Sequence, residues 1–152
     1  MDSYRDDRLE RERCMLLLGS MGTGRVVYTA EALPAVIPVR FSMAGDESLL
    51  LTADWSTALL RAADRNVIAF ETGEIDPADG RGWSVTVVGR SEVLTPAETP
   101  TPAGAENAAM WFRLPTEFVV GRVLGWSPGA APSGGPAAPP PMAGPRPLSP
   151  PD

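Results

Sequence analysis

The sequence of 152 residues contains no histidine, no lysine and a single cysteine, Cys14. Without histidine, one chain offers no serine–histidine or cysteine–histidine nucleophilic pair, no histidine-ligated haem and no histidine-containing zinc site. Without lysine it offers no Schiff-base chemistry and no phosphate-loop lysine. Any chemistry must therefore use a bound cofactor, carboxylates, hydroxyls or arginine.

A single cysteine also excludes an internal disulfide and a paired-cysteine redox motif. We interpret Cys14 as a small apolar residue near a helix face, with no catalytic role. The opening segment, residues 1–8, is too charged for a secretory signal, and no apolar run approaches the ~20 residues needed to span a bilayer. We expect a soluble, cytoplasmic protein that has no membrane partner.

Arginine supplies all 13 basic residues, against 19 acidic residues and a net charge of -6. Affinity for nucleic acid comes largely from neutralising phosphates with a basic face. The charge balance therefore argues against a nucleic-acid partner.

Composition divides the chain into two parts. From Ser127 onward it consists almost entirely of proline, alanine, glycine and serine, and this stretch holds ten of the 17 prolines. Such a composition cannot bury enough apolar surface to offset the ordering of its backbone. We predict one folded domain over residues 1–126 and a disordered tail over 127–152.

Hydrophobic periodicity and turn residues predict a mainly β (α+β) domain. Ser3 and Asp6 resemble a capping box before a first helix over 5–18, and Asp54 caps a second helix that runs to Ala63. A third helical stretch covers 103–110. The predicted strands are 25–29, 36–43, 48–53, 67–72, 83–95, and 111–114 with 117–123 as a closing pair or one kinked strand. Six to seven short strands with two or three helices imply a closed antiparallel barrel.

Two local features suggest where a ligand could bind. Pro38 interrupts a β-branched run, so it indicates an edge, a bulge or a place where the backbone turns away from its neighbour. Thr52, Ser56 and Thr57 surround a predicted helix N-terminus, whose free N–H groups favour an anion such as phosphate. Both features have plainer interpretations, since edge strands tolerate proline and hydroxyl residues are ordinary helix caps.

The order of several motifs resembles the pyridoxamine 5'-phosphate oxidase-like family, in particular its small actinobacterial branch. The motifs follow the first helix and are Gly24-Arg25-Val26-Val27, Leu33-Pro34-Ala35-Val36-Ile37-Pro38-Val39, Leu51-Thr52, Val67-Ile68-Ala69-Phe70-Glu71, Ile75-Asp76-Pro77 and Gly82-Trp83-Ser84-Val85-Thr86-Val87-Val88-Gly89-Arg90. The resemblance runs from about Arg8 to Thr95, and residues 114–122 look like the final strand of that branch.

This resemblance implies a split antiparallel β-barrel that forms a homodimer, with two FMN sites in clefts to which both subunits contribute. It places the isoalloxazine along the second and third predicted strands and the phosphate at the following helix. The residues that it assigns to the cofactor are Ile37, Pro38, Val39, Arg40, Leu51, Thr52, Ser56 and Thr57 from one subunit, with Trp83 and Ser84 approaching across the dimer interface.

The chain departs from the family pattern at two places. Thr57 stands where relatives often have a lysine or arginine at the phosphate site, although Arg61 or Arg65 could supply a bidentate contact. The segment 96–104 is short and rich in proline where relatives carry a longer helix, so no substrate residue is assigned there.

Three side chains have both a structural and a functional interpretation. Trp83 is either a core or interface residue or a flavin contact. Arg40 is either solvent-facing or the cation that stabilises the anionic N1–C2 edge of reduced flavin. The acidic loop with Asp76 and Asp79 fits turn chemistry better than a metal or acid–base cluster.

The leading hypothesis is an FMN-binding oxidoreductase of unknown small-molecule substrate. A deazaflavin-dependent reductase of the same fold is the nearest alternative. The other alternative is a non-catalytic module that has lost its cofactor or holds it as a sensor or store. Catalytic residues are not assigned, because the cofactor carries the chemistry in this class.

Overall fold

The computed structural model of the protein describes residues 8–53, 61–95, 97–100 and 110–125. These residues form one helix of nine residues, a helical turn at 61–63 and nine strands. The elements are β1 (Arg8–Leu9), α1 (Arg11–Gly19), β2 (Thr23–Ala30), β3 (Leu33–Met43), β4 (Leu49–Thr52), β5 (Val67–Ile75), β6 (Gly82–Arg90), β7 (Glu92–Val93), β8 (Trp111–Leu114) and β9 (Phe118–Leu124).

The nine strands form one antiparallel sheet in the order β1-β9-β6-β5-β2-β3-β4-β8-β7. The sheet curls into a split β-barrel, which confirms the predicted fold class, and α1 packs against β3, β6 and β9. The count exceeds the predicted six to seven because β1 was predicted as helix and because the predicted fifth strand, 83–95, divides into β6 and β7. The predicted closing pair becomes β8 and β9, which do not pair with each other. β8 lies between β4 and β7, and β9 lies between β6 and β1.

The prediction of the first helix was wrong at its start. Arg8 and Leu9 are extended and pair with Arg122 and Gly121 of β9, so the helix begins only at Arg11. A local capping pattern says nothing about a distant strand that offers backbone partners, and the sheet edge prevails here. The predicted cap, Ser3 and Asp6, lies outside the described residues.

The predicted fifth strand, 83–95, is broken at Ser91. The buried Ser91 accepts the Arg65 N–H (2.8 Å) and donates its own N–H to Asn66 (2.9 Å), which draws it out of the β6 ladder. Its hydroxyl also donates to the Ala63 carbonyl. The chain then resumes as β7 against β8.

The second predicted helix falls mostly on residues outside the described part of the chain. Residues 61–63 are helical, and Ala63 is fully buried. The third predicted helix, 103–110, falls almost wholly outside it as well, and Met110 is not helical.

The core fills the concave side of the sheet. Val85 and Val87 share one face of β6, as predicted, and the structure places that face inward, where Cys14 and Leu18 of α1 are buried as well. The buried apolar residues are Cys14, Leu18, Val26, Val39, Phe41, Leu49, Leu51, Ala63, Ile68, Phe70, Val85, Val87, Phe112 and Leu114. Phe41 and Phe70 meet edge to face with ring centroids 4.7 Å apart, a favourable aromatic geometry.

Among the described residues, no helix is both long enough and apolar enough to cross a membrane.

Candidate functional site

The convex face of β3 carries the side chains that a ligand could reach. Val39 and Phe41 point into the core, whereas Pro38, Arg40 and Ser42 are exposed. This is the period of two that any strand imposes on its side chains. Half of the predicted cofactor strand therefore faces the core and half faces outward.

The inward residues among the predicted cofactor contacts are Val39 and Leu51, which are 4% and 0% exposed. Ile37 is half-buried and packs against the same core. Their side chains help to build the barrel and do not face a ligand on the outer side.

The main chain of β3 has an edge without a neighbour. β2 pairs with β3 along Leu33–Arg40, but β4 pairs only with Arg40–Met43, so no described strand covers the second edge over residues 33–39. An edge of this kind presents backbone donors and acceptors that another molecule can use.

The β2–β3 hairpin decides which groups face that edge. Its two loop residues, Glu31 and Ala32, have φ of 50° and 64°, as a type I′ turn requires. From this turn onward, every second residue of β3 exchanges main-chain hydrogen bonds with β2. The pattern extends as far as Phe41, whose N–H donates to the Gly22 carbonyl at 2.9 Å. Pro34, Val36 and Pro38 fall at the alternate positions.

Main-chain groups at those alternate positions point away from β2. Because proline has no N–H, the free edge presents one donor, the Val36 N–H, and the carbonyls of Pro34, Val36 and Pro38. Pro38 thus lies at an edge, one of the three interpretations that the sequence left open, and removes no ladder bond.

Arg40 and Thr52 are brought together. They are direct cross-strand partners of β3 and β4, and Trp111 of β8 lies directly opposite Thr52 on the other side. The Thr52 hydroxyl donates to the Met110 carbonyl at 3.1 Å, which leaves its lone pairs free to accept. Arg40 is exposed and forms no ion pair with any described residue.

Trp111 is a half-buried aromatic next to this pair that was not among the predicted site residues. The alternation of Phe112 and Leu114, both fully buried, with Trp111 and Arg113 was readable in the sequence and would have placed Trp111 on the outer face. The pairing of β8 with β4 was not readable.

Trp83 and Ser84 lie on opposite faces of β6. Trp83 has the parity of the buried Val85 and packs against the core, while Ser84 faces outward opposite Gly73 and Arg122. Three strand spacings separate β6 from β3, so Ser84 lies roughly 14 Å from Arg40 when the distance is followed along the sheet of one chain. Within a single subunit, the structure therefore does not bring Ser84 close to Arg40.

The predicted phosphate residues are divided. Ser56 and Thr57 lie outside the described residues. Arg61 lines an open cavity of about 520 Å³ with Thr29, Glu31 and Asn66. Thr29 lies roughly 20 Å along β2 from Thr23, the partner of Arg40, so Arg61 does not reach the Arg40–Thr52 pair.

The carboxylates of the acidic loop accept hydrogen bonds from main-chain N–H groups of the same loop. Asp76 accepts the Ala78 N–H at 2.8 Å, and Asp79 accepts the Arg81 N–H at 2.9 Å. These are the side-chain bonds that the turn interpretation predicts.

A row of apolar side chains crosses the outer face of the sheet. Cross-strand pairing joins Val36 to Val27, Val27 to Ala69, Ala69 to Val88 and Val88 to Phe118, across five adjacent strands. Val36 is 56% and Phe118 61% exposed. We call these five residues the apolar row.

Comparison with known proteins agrees with this architecture. The model of the pyridoxamine 5'-phosphate oxidase family matches residues 10–119. The chain is 40% identical over 95 residues to Rv0080, an uncharacterized protein of Mycobacterium tuberculosis, and the match covers 59% of this chain and 62% of Rv0080.

Two solved structures share the fold. The FAD binding protein from Mycobacterium smegmatis superposes with a TM-score of 0.64 at 27% identity, covering 78% of this chain and 98% of that protein. A FAD-binding protein from Mesorhizobium loti superposes with a TM-score of 0.58 at 18% identity, covering 76% and 96%. The chain belongs to the pyridoxamine 5'-phosphate oxidase family, within a fold that includes flavin-binding proteins.

Proposed function

We propose that this protein is an FMN-binding oxidoreductase that acts as a homodimer, with the flavin held along the outer side of β3 and β4. The observation that carries the proposal is Arg40, which is exposed, lies opposite Thr52 and forms no ion pair with a described residue, at the point where the edge of β3 that no described strand covers ends. That edge and that pair combine backbone acceptors, one backbone donor, a hydroxyl and a fixed positive charge.

These groups suit an isoalloxazine ring. The ring's pyrimidine portion carries carbonyl acceptors and an N–H donor, which complement the Val36 N–H and the carbonyls of Pro34 and Pro38. Trp111 adds an aromatic face next to Thr52. When bound, the flavin would supply hydride or electron transfer.

The contribution of the chain is orientation and charge. The Arg40 guanidinium would stabilise negative charge that develops on the pyrimidine edge when the ring is reduced. No side chain needs to act as an acid or base, which fits a sequence without histidine or lysine.

The homodimer is supported by the apolar row. Its exposed members, Val36 and Phe118, would gain by burial at about 25 cal/mol per Å² of apolar surface. The row lies on the same face as Arg40 and Ser84, so a partner seated there would bring its own Ser84 near the first subunit's flavin. The roughly 14 Å between these two residues in one chain is consistent with contributions from two subunits.

FAD is the second candidate cofactor. It is favoured by the FAD binding protein from M. smegmatis, which is 27% identical to this chain and matched over 98% of its length. FMN and FAD share the isoalloxazine ring, so the proposed role of Arg40 is the same for either.

A flavin titration tests the proposal. The purified protein should take up FMN or FAD with a change in the flavin absorbance bands, and Arg40→Gln should weaken uptake while Arg81→Gln, an exposed arginine in the β5–β6 turn, should not. A protein that binds neither flavin but binds deazaflavin would be the alternative reductase. If no cofactor bound, the chain would be a non-catalytic module.

We propose a cytoplasmic location as well, supported by the single, buried Cys14. The proposal concerns the predicted domain over residues 1–126. Residues 127–152 lie outside the described part of the chain, and their assignment as a tail remains a prediction.

A further inference from the structure

A second group of polar side chains lies at the other side of the sheet, where β1, β9 and β6 run next to each other. Arg8 of β1 pairs directly with Arg122 of β9, and Arg122 pairs on its other side with Ser84 of β6. Leu9 and Gly121, the neighbours of the two arginines, point inward toward Cys14, so Arg8 and Arg122 both face outward. We call Arg8, Arg122 and Ser84 the arginine row.

Two like charges directly opposite each other on neighbouring strands destabilise a sheet. Their Cβ atoms are about 4.5–5.5 Å apart in such a pair, close enough for both guanidinium groups to reach one anion. Within the part of the chain that the structure describes, neither arginine forms an ion pair, whereas Arg25, Arg81 and Arg113 each have a carboxylate.

The third member, Ser84, adds a hydroxyl donor. The half-buried Ser84 forms no side-chain hydrogen bond to any described residue, and its other neighbour in register is Gly73, which has no side chain. Two guanidinium groups and one hydroxyl therefore face the same side, and none of them has an acceptor among the residues that the structure describes. All three can donate, and together they carry two positive charges.

We propose that the arginine row binds an oxyanion of the phosphate class. One arginine fork satisfies a carboxylate, but a phosphate dianion has enough oxygens to accept from both forks and from the hydroxyl. The anion would also neutralise the opposed charges that the β1–β9 pairing creates.

Titration with inorganic phosphate in the absence of flavin tests this site, with calorimetry or phosphorus NMR as the readout. Arg8→Gln and Arg122→Gln should each weaken phosphate binding about tenfold, the usual effect of losing a charge-assisted hydrogen bond. Arg81→Gln removes the same charge elsewhere and should change nothing. Unchanged thermal unfolding of each variant would show that the fold is intact.

Two results would overturn the proposal. One is a wild-type protein that does not bind phosphate. This holds even if the double variant Asp6→Asn, Asp7→Asn does bind phosphate, because the chain's own carboxylates would then neutralise the two arginines in the wild type. The other is phosphate binding of equal strength in Arg8→Gln, Arg122→Gln and wild type.

Competition with FMN identifies the source of the phosphate. If FMN displaces inorganic phosphate, the row holds a phosphate of the cofactor. If phosphate still binds to FMN-saturated protein, the row holds a phosphorylated substrate or partner molecule. Either result supports the oxyanion site, and because the first titration contains no flavin, it can succeed where the flavin proposal fails.

Discussion

Gly121 and Cys14 lie so close that a Cβ atom on Gly121 would overlap the Cys14 Sγ. The same hypothetical Cβ would lie 3.0 Å from the Leu9 Cβ, within the range that real contacts rarely show. The absence of a side chain at residue 121 therefore allows α1 and β1 to pack against β9. Sequence patterns identify neither the contact nor the need for glycine there.

Replacing this glycine should destabilise the fold. Gly121→Ala forces Cys14, Leu9 or the β9 backbone to shift, at a cost of about 1–3 kcal/mol in the free energy of unfolding. Urea unfolding measures it, with Gly45→Ala as control, since a Cβ there meets nothing within 4 Å. Cys14→Ala should recover part of the loss in the Gly121→Ala background, and equal stability of the two glycine variants would contradict the clash.

Arg40 should control the reduction potential of a bound flavin. Arg40→Gln removes the positive charge that favours the anionic reduced ring, so the midpoint potential should fall. A charge-assisted hydrogen bond is worth about 1.5–3 kcal/mol, or roughly 30–60 mV for a two-electron couple. Spectroelectrochemistry of wild type, Arg40→Gln and the control Arg81→Gln measures the shift, and a potential that Arg40→Gln leaves unchanged would exclude Arg40 from the flavin edge.

The apolar row should control association. Val36→Asp and Phe118→Asp would each bury a charge at the proposed interface. The free-energy cost of burying that charge is several times the free energy gained by burying the apolar side chain. Sedimentation velocity should show at least a tenfold weaker dimer for both variants. Leu16→Asp is the matched control because Leu16 is 64% exposed on α1, away from the row. A wild type that is monomeric at micromolar concentration would refute the dimer itself.

Asp46 should contribute to stability above about pH 4 and lose that contribution in acid. Its pKa is lowered first by the Ser48 hydroxyl, which donates to Asp46 at 2.5 Å, then by the Ser48 N–H at 3.1 Å and by the charge of Arg113. A carboxyl whose pKa is lower in the folded state stabilises the fold above its unfolded pKa, and the effect disappears as pH falls through the folded pKa.

Unfolding at two pH values measures this contribution. The free energy of unfolding should fall less between pH 7 and pH 3 in Asp46→Asn than in wild type. Glu117→Gln, which removes an exposed carboxylate without a described hydrogen bond, should keep the wild-type difference. An equal pH difference in wild type and Asp46→Asn would show that these bonds do not persist in solution.

Much of the barrel was predictable because strands carry a local signature. Val85 and Val87 alternate with polar neighbours and the turn at 44–47 is rich in turn residues, as the sequence indicated, and Pro38 lies on an edge, one of the three positions that the sequence allowed. Each of these features depends on residues within one or two positions of each other in the chain. Local preference and hydrophobic period are therefore sufficient to identify them.

Other features depend on partners that are distant in sequence. The sequence predicts helix at Arg8 and Leu9 because nothing nearby in the chain reveals β9, and it predicts strand at Ser91 because the partners of Ser91, Arg65 and Asn66, lie in another segment. For Trp83 the sequence leaves a core or interface role and a flavin contact open; the parity of β6 places it on the core side, half-buried, and the flavin contact stays a prediction. The sequence shows which residues of a strand share a face, but which of the two faces is the core depends on the whole sheet.

By itself, the sequence determined the chemistry that is open to this protein. Thirteen arginines with no histidine or lysine exclude most side-chain catalysis, and the order of strand motifs indicates a split barrel of the pyridoxamine 5'-phosphate oxidase family. Only the tertiary structure decided which side chains meet. It set Arg40 opposite Thr52 and Arg8 opposite Arg122, because strand register, which fixes those neighbours, arises from pairing between segments far apart in the chain.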